Sequence, residues 1–372
     1  IEYFDDPSAQ VLIDRAAVDE AGLPAGSQAG TAETSAYGRF VVDAPDGVLA
    51  LQVRDAGGNW VNVAAGGSVQ GLYGTLVVAA DGRWTYTLDG PAPHLGGAGL
   101  SGGMDVVGES FVVRVIDRTG DMSPERQLDV TIADDAPRAV DDTPEIRENA
   151  TDALAGSVLD NDLHANGQPG ADGHSFVAWD NPLSTVLSQY GTLQLNADGS
   201  YSFLLDNARA ATQALREGDV RSESFTYRIQ DGDGDPASAT LTITLRGSND
   251  GPTVDVDPGN PGGIADCVYE AGLPGGSAAA GDGEFASGTF RLGDAHGLDD
   301  LPSVTINGQT VAIDQLAGHV FIGSYGTLTI TGYDAATGTG SYLYQLSGPT
   351  TDGPGVEREL FELQVSDGTA AS

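Results

Sequence analysis

Short runs in which apolar and polar residues alternate make up much of the chain, and stretches rich in Gly, Asp, Asn and Pro separate them. Alternation with a period of two is typical of β-strands that bury one face. The clearest runs are Ser110 to Ile116, Ser224 to Ile229 and Glu359 to Val365, and an aspartate follows each within two residues. The helical period is nearly absent, and its best candidate is one short connection, Ala208 to Glu217. The pattern therefore predicts an all-β chain.

A Tyr-Gly-Thr-Leu tetrapeptide occurs three times, at Tyr73 to Leu76, Tyr190 to Leu193 and Tyr325 to Leu328. In the first two copies an apolar run, an Asp-Gly pair and a second apolar run follow, which is the pattern of a β-hairpin with a tight turn. The third copy carries a longer segment rich in Gly and Thr, Tyr333 to Gly340, which predicts a loop instead. Three copies at one place per repeat indicate tandem structural units.

Three acidic segments that end in proline divide the chain: Asp5-Asp6-Pro7, Asp134-Asp135-Ala136-Pro137 and Asn249-Asp250-Gly251-Pro252. They lie roughly 115 to 130 residues apart, a length that suits an immunoglobulin-like sandwich. The sequence therefore predicts three tandem immunoglobulin-like (cadherin-like) β-sandwich modules in an elongated rod, with boundaries at 1–136, 137–251 and 252–372.

The formal net charge is -38, from 54 acidic and 16 basic residues among 372. Such a surface repels nucleic acids and anionic membranes, so neither is an expected partner. No apolar run approaches the ~18 residues of a membrane span. Most of the acids are aspartates, and about half of these stand beside Gly, Asn or Pro, a context that favours turns and metal loops with oxygen ligands.

The acidic loops are expected to converge because of sandwich topology. The loop before the last strand of a module must lie at the pole where the module begins, next to the preceding junction. Closely spaced carboxylates repel one another unless a cation lies between them, and Ca²⁺ accepts six to eight oxygen ligands in flexible geometry. The alternative is that these loops are solvated turns.

The sequence therefore predicts Ca²⁺ at the junctions and no catalytic residues. The predicted ligands at the junction of the first two modules are Asp134, Asp135, Asp160, Asp162, Asp231, Asp233 and Asp235. Those at the junction of the second and third modules are Asn249, Asp250, Asp294, Asp299, Asp300 and Asp367. A partial site at the upstream end of the first module groups Asp5, Asp6 and Asp117 with Asp43, Asp46 and Asp121. Three glutamates, Glu20, Glu148 and Glu270, either reach a junction from the first strand of each module or are ordinary exposed side chains.

The second module resembles the VCBS and cadherin-like repeats of giant surface adhesins that bacteria export by type I (RTX-type) secretion. Four ordered segments carry the resemblance: Tyr190 to Gly199, Gln213 to Gly218, Ser224 to Gly234 and Leu241 to Pro252. The outer modules share a Glu-Ala-Gly-Leu-Pro opening and are similar to related repeats. In the loop 159–173, relatives have a denser run of aspartates, and His164 departs from their pattern.

The resemblance implies an extracellular location on the bacterial surface, in adhesion or biofilm formation. It implies an extender that spaces a distal binding domain from the cell, with neighbouring modules of the same parent chain as partners and a monomeric state. The alternative is a glycan- or protein-binding module that uses a loop such as Pro91 to Gly108 or Leu163 to Gly173. Few aromatic residues occur in these loops, which favours the spacing role.

Motifs of enzymes are weak. The segment Gly99 to Gly103 matches G-x-S-x-G, but it lies in a glycine-rich loop and not between a strand and a helix, as that motif requires. The five histidines form no H-x-x-x-H pair, and Cys267 has no second cysteine for a zinc site. Cys267 is expected to be a small buried residue, and Trp84, on an alternating strand, a core residue.

Overall fold

The computed structural model describes residues 9–13, 15–94, 105–256, 267–351 and 357–372. Within these ranges, antiparallel strands dominate, and the single α-helix is the four-residue α1, Ala210–Gln213. The all-β prediction is confirmed. Asp5 and Asp6 and the segment 99–103 lie outside the described residues. Short 3-10 helices occur at Glu20–Gly22, Ala32–Thr34, Leu187–Gln189, Glu270–Gly272, Leu298–Asp300 and Ile313–Gln315.

The first module packs two main sheets against each other. Its strands are β1 (Gln10–Leu12), β2 (Ala16–Asp19), β3 (Ser35–Arg39), β4 (Val41–Asp43), β5 (Val48–Arg54), β6 (Trp60–Asn62), β7 (Gly67–Gln70), β8 (Gly74–Val78), β9 (Arg83–Leu88), β10 (Val106–Asp117) and β11 (Arg126–Ala133). One sheet has the order β2-β11-β10-β5-β6 and the other β3-β9-β8-β7, while β1 pairs with β4. Rings from the two sheets meet in the core, where Tyr86 and Phe111 have centroids 6.0 Å apart.

The second module repeats this plan with fewer strands. They are β12 (Glu145–Arg147), β13 (Leu154–Ser157), β14 (Ser175–Trp179), β15 (Gly191–Leu195), β16 (Ser200–Leu205), β17 (Val220–Gln230) and β18 (Pro236–Arg246). Its sheets have the orders β12-β18-β17-β14 and β13-β16-β15. β12, the first strand of the module, pairs in parallel with β18, its last strand, as β2 pairs with β11 in the first module.

The third module has the strands β19 (Thr253–Val256), β20 (Phe285–Gly293), β21 (Ser303–Ile306), β22 (Gln309–Ala312), β23 (Val320–Ile322), β24 (Gly326–Asp334), β25 (Thr339–Leu346) and β26 (Leu363–Ser366). Its sheets have the orders β19-β20-β25-β24-β23 and β22-β21-β26. Each module has its own hydrophobic core cluster. Together these features confirm tandem immunoglobulin-like sandwiches, while the boundaries at 136 and 251 remain a proposal.

The repeated tetrapeptide has a steric cause. Its glycines, Gly74, Gly191 and Gly326, each begin the first strand of a hairpin and lie against the facing strand. A β-carbon at any of them would lie 2.2 to 2.5 Å from a backbone carbonyl oxygen of that strand. No side chain fits at these positions, because real contacts of that kind are much longer.

A second repeat escaped the sequence analysis. Glu109, Glu223 and Glu359 each stand two residues before a phenylalanine, and each carboxylate accepts at least one backbone N–H group from the segment that precedes the tetrapeptide. In the outer modules the same carboxylate also accepts the hydroxyl of a core tyrosine, at 2.7 Å. Glu109 in β10 and Glu223 in β17 thus tie these long strands to the turn before the opposite hairpin, and Glu359 ties the segment before β26 to the corresponding turn.

Three predictions of local structure are wrong in part. The strands β24 and β25 extend into the predicted loop at 333–340 and leave only 335–338 between them. Pairing resumes after a register shift between Ile330 and Gly332, so that Tyr333 pairs with Gly340. The predicted run at 359–365 forms a strand only from Leu363, since the Glu359 carboxylate accepts the N–H of Tyr325 in the turn before β24. Cys267 is exposed rather than buried. Trp84 is 2% exposed, as expected of a core residue.

Candidate metal centre at the first junction

Strand pairing places acids from both modules at the junction between them. β2 lies parallel to β11 with Asp19 opposite Ala133, so Glu20 emerges beside Asp134, the first linker residue. The β17–β18 hairpin has Gln230 opposite Pro236, and its loop therefore projects from the upstream pole of the second module. Glu20 and Asp134 therefore approach the junction from the side of the first module, and the β17–β18 loop approaches it from the side of the second.

Seven side chains make up what we call the junction cluster: Glu20, His94, Asp134, Asp172, Asp231, Asp233 and Asp235. Two overlapping groups within it have ligand atoms within 4.8 Å of one another. One contains Glu20, His94 and Asp134, and the other contains Asp134, Asp231 and Asp233. The structure therefore brings together four of the acids predicted for this junction, namely Asp134, Asp231, Asp233 and Asp235.

Many of the carboxylate oxygens in the junction cluster are buried without a hydrogen-bond partner. Among the described residues, seven such oxygens belong to its six acids. Both oxygens of Asp134 are included, and Asp134 is 4% exposed. Buried carboxylate oxygens without partners are costly and rare in native proteins. An oxygen-binding cation fits this donor set, since it would satisfy the oxygens and cancel their mutual repulsion.

The pKa values of the acids in the junction cluster also favour a bound cation. Burial, with a contribution from neighbouring carboxylates, raises the pKa of Glu20 to about 7, that of Asp231 to about 7 and that of Asp134 to about 8. Burial and the charge of Asp233 raise the pKa of Asp172 as well. In the described part of the chain, His94 is the only basic side chain within 4.0 Å of these carboxylates. The cluster therefore lacks the positive charge that its acids require.

Asp231 shows how one aspartate serves both the fold and the site. Its Oδ1 accepts the N–H groups of Gly234 and Asp235 at 2.9 and 2.8 Å, which closes the hairpin loop, while its Oδ2 is buried without a partner. The equivalent aspartates, Asp117 and Asp367, close their loops in the same way. Asp117 thus has a turn-closing role in the structure, at a pole whose upstream segment lies outside the described residues.

Asp135 is adjacent in sequence but holds the modules together differently. Its carboxylate accepts Ser27 N–H at 2.8 Å, the Ser27 hydroxyl, and Ala171 N–H at 3.0 Å. Nearby, Gly170 N–H donates to the carbonyl of Ala25 at 3.2 Å, which joins the two modules directly. These bonds use both Asp135 oxygens.

The structure places Asp162 inside the second module and not in the junction cluster. It is fully buried, and its Oδ1 accepts Val140 N–H at 2.7 Å and the Tyr227 hydroxyl at 2.8 Å. Asp160 is exposed. The loop that contains them does reach the junction, but through its later residue Asp172, because the chain continues past Gly170 to contact the first module.

The second junction has a different balance of contacts. Asn249 donates to Asp367 Oδ2 at 2.8 Å, Asn149 donates to Asp250 Oδ1 at 2.9 Å, and Arg216 lies 3.2 Å from Asp300 Oδ2. Asp294 accepts the N–H of His296, at 2.7 Å, and Asp299 is exposed. Buried oxygens without partners in this region are Glu148 Oε1, Asp250 Oδ2 and Asp294 Oδ2.

The three glutamates of the sequence analysis lie at the downstream pole of their modules. Glu20 is fully buried, and Glu148 is 4% exposed and accepts Ser248 N–H at 3.0 Å. Glu270 accepts the N–H and hydroxyl of Thr350. His94 and Asp172 were missed at this site. Asp172 stands in a Gly-Ala-Asp-Gly segment, which was a usable signal, whereas the proline-rich segment before His94 offers no pattern that predicts a ligand.

Residues 134–247 match the family model of the bacterial cadherin-like domain. A calcium-binding lectin, RapA2 of Rhizobium johnstonii, is 28% identical over 198 aligned residues, with coverage of 49% of this chain and 75% of the relative. Among solved structures, PcdhgB3 EC1-4 matches with a TM-score of 0.33, 13% identity and coverage of 96% of this chain and 72% of that one. The titin domains I67-I69 match with a TM-score of 0.24, 8% identity and coverage of 98% and 94%.

Both sequence matches are to non-enzymatic classes of protein, a cadherin-like domain and a lectin. The chain is accordingly a non-enzymatic protein, and its residues 134–247 are similar to a bacterial cadherin-like domain. Among the described residues, no helix has the length and apolar character needed to cross a membrane.

Proposed function

We propose that this chain is an extender segment of a large, secreted bacterial surface adhesin, in which Ca²⁺ stiffens the joints between modules. Its role is mechanical: it spaces a distal binding domain away from the cell in adhesion or biofilm formation. The cadherin-like match over residues 134–247 and the similarity to a rhizobial calcium-binding lectin support an adhesin and an extracellular location. The VCBS-type repeats and type I export belong to the same proposal.

The observation that carries the proposal is the set of seven buried, unpartnered carboxylate oxygens in the junction cluster. They come from Glu20 in the first module, Asp134 in the linker and acids of the second module. A cation held by all three would couple the modules, because neither could rotate without breaking ligand bonds. Asp134, Asp231 and Asp233 are the best-placed ligands for Ca²⁺.

Calcium suits this set better than magnesium does. Ca²⁺ tolerates irregular shells of six to eight oxygens, whereas Mg²⁺ demands a small octahedron and retains its waters. Extracellular modules bind Ca²⁺ with Kd values of about 10⁻⁴ to 10⁻³ M, so the sites would fill outside the cell and not in the cytosol. With a net charge of -38, the ion-free chain would be more easily kept unfolded for export.

The test compares thermal stability and the radius of gyration in chelator, magnesium and calcium at equal ionic strength. Calcium is expected to raise Tm and to lengthen the molecule. The stabilisation is about 1.4 kcal/mol per site at a calcium concentration of ten times Kd. The double variant Asp231→Asn with Asp233→Asn should respond to calcium less than the parent, while the exposed Asp152→Asn serves as the matched control. Equal values in all three solutions would show that the acidic loops are only solvated turns.

Carbohydrate binding is the second candidate, and the similarity to a lectin favours it. The discriminating measurement is calorimetric titration of the calcium-loaded chain with a panel of acidic and neutral polysaccharides. Saturable binding that calcium removal abolishes would support a lectin-like role. No polysaccharide binding, together with a calcium-dependent change in length, would support the spacing role and contradict carbohydrate binding.

A further inference from the structure

His94 projects into the junction cluster and has no exposed side-chain surface. Its Nδ1 lies 3.2 Å from Asp233 Oδ2, 3.7 Å from Glu20 Oε1 and 3.9 Å from Asp134 Oδ1. Nδ1 nevertheless has no hydrogen-bond partner within the described ranges. A buried ring nitrogen that faces three carboxylates requires positive charge between them, either as a proton or as a bound cation.

The other ring nitrogen settles the tautomer. Nε2 lies 3.3 Å from the carbonyl oxygen of Ile132, and because a carbonyl only accepts, Nε2 must carry the hydrogen. In the neutral imidazole, Nδ1 then has its lone pair available as a ligand. Metal-binding histidines usually show this arrangement, in which the second ring nitrogen donates to a carbonyl or carboxylate that orients the ring.

The distances favour a metal over a simple ion pair. Zinc binds His nitrogen and carboxylate oxygen at about 2.0 to 2.2 Å, which places neighbouring ligands of a tetrahedron roughly 3.4 Å apart. The three nitrogen–oxygen separations at His94 bracket that value. A protonated Nδ1 would instead point its N–H at one oxygen, and none of the three lies in a hydrogen-bonding position.

We propose that Glu20, His94 and Asp134, whose ligand atoms lie within 4.8 Å of one another, form a second metal position, which takes a divalent transition-metal cation such as Zn²⁺. It lies beside the calcium position of Asp134, Asp231 and Asp233. Both oxygens of Asp134 are buried and unpartnered, so this residue can bridge the two ions.

The two positions differ in chemistry. Imidazole nitrogen is a good ligand for zinc and other transition metals, whereas Ca²⁺ strongly prefers oxygen. His94 therefore distinguishes the second position from an ordinary calcium site. The inference is carried by His94 and remains valid even if calcium does not bind, although the two positions share Asp134.

The experiment uses the whole chain after treatment with chelator. Zn²⁺ is titrated by calorimetry, and Co²⁺ is followed by its visible absorption, which reports nitrogen and oxygen ligation. One equivalent should bind to the parent protein, and His94→Gln should bind at least about tenfold more weakly, as loss of even an outer ligand partner costs 10- to 100-fold. His319→Gln, in the third module beside Gln309, is the matched control and should bind like the parent.

Two further variants separate this inference from the calcium proposal. Asp231→Asn should weaken the response to calcium and leave zinc affinity unchanged, while Glu20→Gln should weaken zinc binding even if His94→Gln fails to fold, which circular dichroism would reveal. Zinc affinity equal in the parent, His94→Gln and Glu20→Gln, or no zinc binding at all, would overturn the second metal position. A calcium response without zinc binding contradicts only this inference, and zinc binding without a calcium response contradicts only the proposed function.

Discussion

Glu223→Gln is expected to destabilise the second module, because its carboxylate holds the turn that precedes Tyr190. One oxygen accepts Thr185 N–H, Val186 N–H and the Thr185 hydroxyl, at 2.6, 3.2 and 3.0 Å. The other accepts the Ser184 hydroxyl at 2.6 Å and Leu187 N–H at 3.0 Å. An amide keeps only one acceptor, so one group of donors would face an NH₂ group.

The magnitude follows from the charge on these bonds. Burial alone would raise the pKa of Glu223, but the bonds from Ser184, Thr185, Leu187 and Val186 lower it from 4.5 to about 2. Each pKa unit corresponds to about 1.4 kcal/mol, and solvent screening at this half-buried site reduces the total. We expect a loss of about 2 kcal/mol, which is roughly 10 °C in Tm for a module of this size.

The pH dependence gives a sharper test. A carboxylate whose folded pKa is depressed contributes its full stability above its unfolded pKa, and that contribution is lost as pH falls from 4.5 towards 2. The stability difference between the parent and Glu223→Gln should therefore be largest near neutral pH and shrink steadily through this acid window.

The assay is urea unfolding at several pH values, with hydrogen exchange of peptides from residues 175–246 to isolate the second module. The exposed Glu217→Gln is the control and should match the parent throughout. A stability difference that stays constant between neutral pH and pH 2, or no difference at all, would refute the reasoning.

Two further substitutions test the core geometry. Gly191→Ala should cost at least about 1 to 3 kcal/mol in urea unfolding, because its β-carbon would lie 2.2 Å from a carbonyl oxygen of the facing strand. Gly90→Ala, which meets nothing within 4 Å, is its control, and equal losses would contradict the steric explanation. Tyr227→Phe should cost about 1 to 3 kcal/mol by removing the hydroxyl that donates to buried Asp162. The exposed Tyr37→Phe should cost nothing measurable, and an equally small loss for Tyr227→Phe would show that this hydroxyl is not required.

Local features of the fold were readable from the sequence. The hairpin strand Ser200–Leu205 begins and ends where its alternation does, and Gly199, at a φ of 83°, closes the turn before it. Both features depend on neighbouring residues only: the pleat alternates side chains, and glycine tolerates positive φ. The prediction failed where a distant contact overrode the local pattern, as at Glu359, whose carboxylate is bound by the turn at Ser324 and Tyr325.

The sequence predicted the candidate site, like the fold, only in part. Sandwich topology alone was enough to expect Asp231, Asp233 and Asp235 near Asp134, since the order of strands determines which pole each loop occupies. It was not enough to expect that Asp135 would bind Ser27 or that Asp162 would bind Tyr227. A carboxylate one or two residues along the chain points elsewhere, and only packing decides which way.

The sequence by itself thus determined the class of fold, the repeat, and the presence of an acidic pole at each junction, because period-two patterning, turn chemistry and charge are properties of short segments. Tertiary structure decided which carboxylates share the junction. The contact between Gly170 and Ala25 brings Asp172 to the first module, and burial beside the Ile132 carbonyl turns His94 into the cluster. Residues far apart in the chain meet there only because the modules pack in one orientation, and that orientation leaves no signal in the pattern of either module alone.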